Sequence, residues 1–146
     1  MANKNKEHYN RDFYAWAIHN ASLLREGKLS EIDIDNIAEE IESMGKSEKR
    51  ELISRMAILI AHLLKWQLQP MRQSRSWKCA IEEQRFELSE LLAESPSLKN
   101  ELEKNLAHAY KRSLLIVEKE TGMAKKVLPK TCPFSLKQIF NQKFFP

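Results

Sequence analysis

Between Leu52 and Pro70 the chain reads LISRMAILIAHLLKWQLQP, its longest apolar-rich run. A helix turns about 100° per residue, and on that wheel Leu52, Ile53, Met56, Leu59, Ile60, Leu63, Leu64 and Trp66 share one broad face. A helix lying on a surface needs a narrower stripe, so this segment is expected to be the buried centre of a helical bundle. Glu51, Ser54, Arg55, His62, Lys65 and Gln69 fill the opposite side, interrupted by Ile58, and leave a narrow strip for water or a polar partner. A bilayer span takes about 20 apolar residues, whereas Met56 to Leu64 is shorter and contains His62, so no membrane partner is expected. Pro70 lacks a backbone donor and disfavours helix before it, which sets the end or a kink.

The flanking segments carry helical signals of their own. A first helix is expected from Arg11 or Asp12 to the stop at Gly27, burying Phe13, Trp16, Ala17, Asn20, Leu23 and Leu24 at spacings of three and four. His19 flanks that stripe and reads as an exposed or hydrogen-bonded histidine. Ser30, Asp33 and Asp35 offer caps for a second helix with Ile34, Ile37, Ala38, Ile41 and Met44 on its apolar face, ending at Gly45. Ser47 would then restart the chain into the central helix. Ser74 or Ser76 caps a further helix with Trp77, Ile81, Gln84, Leu88 and Leu91 in a stripe, and Ser97 caps a last long helix finishing near Thr121 and Gly122. The tail holds Val127, Leu128, Phe134, Leu136, Ile139, Phe140, Phe144 and Phe145, side chains that need a surface to bury against. A short helix over 135–141 is expected there.

These signals predict an all-α fold: one antiparallel bundle of about five helices spanning 1–146, with a long buried central helix. Residues 1–10 read as a disordered start and 123–146 as a docked tail. With 146 residues the chain can bury roughly two thirds of its unfolded surface without disulfide support. Cys79 and Cys132 lie far apart with no paired spacing, which fits reduced thiols in the cytoplasm. Neither a signal peptide nor a lipidation pattern is recognised at the ends. The net charge of +4 is unevenly placed. Every charged residue from Glu31 to Glu42 is acidic, while beyond Gly122 the charged side chains are all lysines. Such asymmetry marks an anion-binding tail or two surfaces that meet.

The segments DFYAWA, DIDNIAEEIESMG, LIAHLLKWQLQP, SRSW, SPSLKNEL and TCPFSLKQIF together resemble the bacterial family called DUF29, in the same order over nearly all the chain. The likeness combines specific residues such as His62, Lys65, Trp66, Pro70, Arg75, Ser76 and Trp77. It implies an all-helical domain and an origin in a family abundant in cyanobacteria. It brings no catalytic residue with it, because the family was described without a function.

The candidate polar cluster comprises Glu39 and Glu42, His62 and Lys65, and Arg72, Arg75 and Lys78 around the turn after Pro70. The bland reading is a structural ion-pair network, in which arginine forks hold carboxylates. As a metal site, Glu39, Glu42 and His62 supply suitable ligand types, but a di-iron bundle needs Glu-x-x-His pairs that this chain lacks; no metal or cofactor is expected. As a nucleic-acid or phosphate surface, Arg72, Arg75, Lys78 and Arg85 with Lys65 could track a backbone while Trp66 or Trp77 stacks on a base. Both tryptophans also continue apolar stripes and so read as core. Catalysis has little to rest on: no nucleophile elbow, phosphate loop or zinc pair occurs, and Cys79 near Arg75 and Lys78 is the one activated-thiol candidate. The favoured reading is a non-enzymatic protein-interaction or assembly module, forming a homodimer or receiving a partner protein, with nucleic-acid or phosphate binding as the alternative.

Overall fold

Six α-helices and three short 3-10 turns carry the described residues, 4–146, of the computed structural model, and no strand occurs among them. The helices are α1 (Lys4–Arg11), α2 (Phe13–Arg25), α3 (Ile34–Leu68), α4 (Arg75–Glu94), α5 (Leu102–Thr121) and α6 (Leu136–Phe140). They divide into two compact units, one ending at Ser47 and the other running Glu48–Pro146.

In the first unit, α1 occupies residues assigned from sequence to a disordered start; positions 1–3 of that stretch lie outside the described residues. The helix expected from Arg11 or Asp12 is thus two helices joined at Asp12, whose side chain caps α2 by accepting the Ala15 N–H at 3.1 Å. Gly27 ends α2 as expected. Its φ of 73° is the left-handed conformation. The Lys28 N–H then reaches the Leu23 carbonyl at 2.9 Å and the Gly27 N–H the Leu24 carbonyl at 3.1 Å, closing a Schellman motif. Of the stripe predicted for α2, Trp16, Asn20 and Leu23 are buried, whereas Phe13 and Leu24 are exposed.

The predicted break at Gly45 and Ser47 is absent: α3 is one helix of 35 residues. A glycine inside a helix costs only about 1 kcal/mol relative to alanine, and the Met, Lys, Glu, Arg and Leu around it are good helix formers. One glycine is too weak a stop. Every residue from Ile41 to Ser47 is exposed, so this part of α3 is held by its own backbone ladder rather than by packing.

The second unit has the larger core. Leu52, Met56, Leu59, Ile60, Leu63 and Leu64 of α3 are completely buried with Ile81 and Leu88 of α4, Val117 of α5 and Ile139 of α6. Full burial of each such side chain contributes roughly 1.5–3 kcal/mol, and the broad apolar face of α3 is therefore the spine it was read to be. Pro70 ends α3 in a 3-10 turn, and Ser74 caps α4 through the Trp77 N–H at 3.2 Å. Ser97 does not cap a helix. Residues Pro96–Glu101 form a 3-10 turn, and α5 begins after it without a side-chain cap. α5 stops at Gly122, where φ is 77°. In the tail, Ser135 and Gln138 form a reciprocal capping box that opens α6, and Phe134 and Ile139 seat this segment in the core.

Candidate functional site

The second unit gathers part of the sequence-predicted cluster at the C-terminal end of α3. Lys65 was read as part of an exposed strip, yet its side chain is buried at 4 % exposure. Its Nζ pairs with the Glu120 carboxylate of α5 and sits 4.8 Å from the centre of the Trp77 ring. A buried ammonium needs such partners, and an aromatic face with a carboxylate supplies both. Glu120 was missed from sequence because nothing local in α5 marks it. His62, one turn before Lys65, has Nδ1 2.8 Å from the Ile58 carbonyl. A carbonyl only accepts, so Nδ1 carries the proton and Nε2 is the acceptor of the neutral ring. Burial lowers the His62 pKa; the Ile58 bond opposes that, and Lys65 adds to it.

Around the turn after Pro70 the residues are more independent. Arg72 and Arg75 are exposed and join none of the described ion pairs, while Lys78 lies 3.8 Å from Glu82 one turn on. Trp66 is half-buried against the core with its ring 5.2 Å from that of Phe145. Trp77 is half-buried beneath Lys65. Both indoles are thus engaged within the unit. Cys79 and Cys132 are free thiols; Cys79 is exposed, and burial pushes the Cys132 thiol up. Among the described residues no three His, Cys, Asp or Glu side chains gather closely enough to hold a metal ion.

Arg85, proposed from sequence for a surface phosphate track, is instead buried at 3 % exposure. Its Nε donates to the Ile139 carbonyl at 2.8 Å, and its Nη2 to the Phe144 carbonyl at 2.8 Å and the Gln138 carbonyl at 3.4 Å. The carbonyls of Gln138 and Ile139 belong to the last turn of α6; Gln138 already accepts the Asn141 N–H, while Ile139 is at an end where helical partners run out, so the guanidinium clamps the tail by capping that helix. The guanidinium also lies 5.4 Å from the Phe145 ring. A signal existed: Arg85 falls four residues after Ile81 and three before Leu88, on the apolar stripe of α4.

A hollow of about 510 Å³ lies along α5, lined by Leu106, Tyr110 and Leu114 with Lys111, Lys130 and Cys132. The Tyr110 hydroxyl donates to the Pro129 carbonyl, and burial, followed by the Cys132 thiol, pushes its pKa up to about 12. That hydroxyl serves as a donor and ties the lysine-rich segment to α5.

The first unit has a polar centre whose members sequence reasoning placed separately, Trp16 and Asn20 in a buried stripe and Asp33 as a cap, without bringing them together. The buried Asp33 carboxylate accepts from Trp16 Nε1 at 2.9 Å and Asn36 Nδ2 at 2.7 Å, and caps α3 through the Asn36 N–H at 3.3 Å. Asn20 exchanges two side-chain hydrogen bonds with Asn5, at 2.7 and 2.8 Å, and accepts the Asp33 N–H at 3.0 Å. Burial pushes Asp33 up, but the bonds from Asn36 and Trp16 outweigh it and leave the carboxyl below its ordinary value. At the surface, Lys6 pairs with Asp35 at 2.6 Å and the Tyr9 hydroxyl donates to Glu40. Glu39 and Glu42, the two acidic members of the predicted cluster, are exposed on α3 in this unit, and the described ion pairs include neither.

The family model described as Domain of unknown function DUF29 matches residues 8–145, and the chain belongs to that family. No curated protein and no solved structure matches it.

Proposed function

We propose that this member of the DUF29 family is a protein-interaction module whose docking surface lies on its first unit. The observation that carries the reading is the exposure there of Ile34, Ile41 and Met44 on α3, at 65 %, 59 % and 62 %, with Tyr14 and Ile18 of α2 exposed as well. Ile34, Ile41 and Met44 fall on one side of the helical wheel, and Glu39 and Glu42, which join none of the described ion pairs, form an acidic strip beside them. Large apolar side chains bordered by polar ones are the usual composition of a surface that receives a partner. The acidic strip selects for a partner with apolar residues flanked by lysine or arginine. Beneath this surface, the Asp33, Trp16 and Asn20 network holds the start of α3, so the surface is presented without a large apolar core.

Both thiols are unpaired, which supports a reducing compartment such as the cytoplasm, and no helix of the described residues is long and apolar enough to cross a membrane. Nucleic-acid binding is less well supported. Of its proposed contacts, Lys65 and Arg85 are buried with internal partners and both tryptophans are engaged. Arg72, Arg75 and Lys78 remain, too few for a tight phosphate track.

The test is affinity capture from the host with the full chain and an Ile41→Asp, Met44→Asp variant, scoring proteins and nucleic acid by mass spectrometry, with sedimentation to detect a second copy. These exposed positions tolerate substitution with little effect on folding. A protein, or a second copy, that binds the native chain and is lost with the variant supports the reading. Equal capture by both, or a monomer without partners, rejects it.

A further inference from the structure

Arg85 does more than hold the tail. Its Nη1 is buried and finds no hydrogen-bond partner among the described residues, although its Nε and Nη2 are engaged. The clamp partners are carbonyls, which accept hydrogen bonds without cancelling a charge. Glu82 is close enough to act on the guanidinium electrostatically but does not form an ion pair with it. A buried cation left with an unused donor edge is costly unless an anion completes it.

Arg85 lines two hollows. One, of about 320 Å³, is shared with Glu82, Phe86 and Gln142. The other, of about 380 Å³, lies between α4, the 3-10 turn Pro96–Glu101 and the tail, and brings Arg85 together with Ser89, Lys99 and Gln142. No described carboxylate lines this second hollow, and Lys99 is exposed and outside the described ion pairs. Leu92, Ala93 and Phe140 supply an apolar part to its wall.

We propose that this second hollow is an anion subsite for the phosphate group of a small organic phosphate monoester. A guanidinium and a hydroxyl on α4, an ammonium on the 3-10 turn and an amide in the tail offer donors to a tetrahedral oxyanion from several sides, whereas a planar carboxylate is met fully by an arginine fork alone. The apolar wall takes the organic group, and the volume exceeds what inorganic phosphate fills. Because Nη1 is shut off from solvent, the subsite requires a side chain of its wall to move aside, and we assign that movement to Gln142, which is exposed and lines both hollows.

The experiment is a titration of the full chain, labelled with nitrogen-15, with inorganic phosphate, phenyl phosphate and acetate at matched ionic strength, following the amide signals of Ser89, Lys99 and Gln142. Saturable shifts at these amides are expected, with phenyl phosphate tighter than inorganic phosphate and acetate weakest. Lys99→Gln, a surface change, should weaken phenyl phosphate about tenfold, the order of one lost charge-assisted hydrogen bond. Ser89→Ala should weaken it less. The absence of a saturable shift with either phosphate up to about 20 mM, or equal affinity in Lys99→Gln, overturns the subsite. Acetate binding as tightly as phenyl phosphate overturns the choice of phosphate.

Discussion

The carboxylate of Asp33 is buried with three hydrogen bonds and no described ion-pair partner, so the first unit depends on those bonds to hold its charge. Asp33→Ala leaves the Trp16 and Asn36 donors unsatisfied and should cost about 2–3 kcal/mol. Urea denaturation followed by helical circular dichroism checks this; an unchanged midpoint would show that water replaces the carboxylate freely. His62 gives a separate, pH-dependent expectation. Its folded pKa lies below the ordinary 6.5, so the unfolded chain takes up the proton first as pH falls. Its stabilising contribution is complete above pH 6.5 and is lost below it, down to the lower folded value. Native stability measured from pH 8 to 5 should therefore decline more steeply than that of His62→Gln, and equal slopes would remove this role from His62. Asp33 acts in a lower window: its folded pKa is depressed, so its contribution is present above the ordinary 3.8 and lost as pH falls through the folded value.

Among elements, α3 shows how weak a local stop can be. Gly45 lies in the exposed stretch of a continuous helix, its φ is not in the left-handed region, and a Cβ added there would meet nothing within 4 Å. Gly45→Ala should then stabilise the chain by up to about 1 kcal/mol, measured by thermal or urea unfolding. Loss of stability would place a break where α3 is continuous. α6 makes the opposite case, since its five residues are too few to stand alone. They are held by the Ser135 capping box and by Arg85 on the terminal carbonyls. Ser135→Ala should cost about 1 kcal/mol and loosen the tail, seen as faster amide exchange at Gln138 and Ile139.

At the scale of the molecule the two units are built on different principles. The second buries a continuous aliphatic cluster, whereas Trp16 and Leu23 are the buried apolar side chains described in the first, around a hydrogen-bonded polar centre. Local opening follows the density of buried contacts, so amides of α1 and α2 should exchange at least about tenfold faster than those of Leu59 to Leu64. Hydrogen-exchange mass spectrometry reads both in one experiment. Equal protection would mean that the polar network of the first unit is as strong as the aliphatic core of the second.

By itself the sequence determined the helical class, the spine from Leu52 to Leu68, the stops at Gly27, Pro70 and Gly122, and the docking of an aromatic tail. These follow from period, backbone chemistry and apolar content, which act within a few residues of one another. Tertiary structure alone decided that Lys65 would meet Glu120 and Trp77 and that Arg85 would turn inward to the tail, whereas Gly45 was passed over locally, one glycine being outweighed by the helix formers around it. The two cations depend on partners more than fifty residues away, Glu120 for Lys65 and the Ile139 carbonyl for Arg85, and no helical wheel contains them. The charged strip beside His62 was legible as a pattern, but whether each charge faced water or a buried partner was settled by which side chains the fold brought against it.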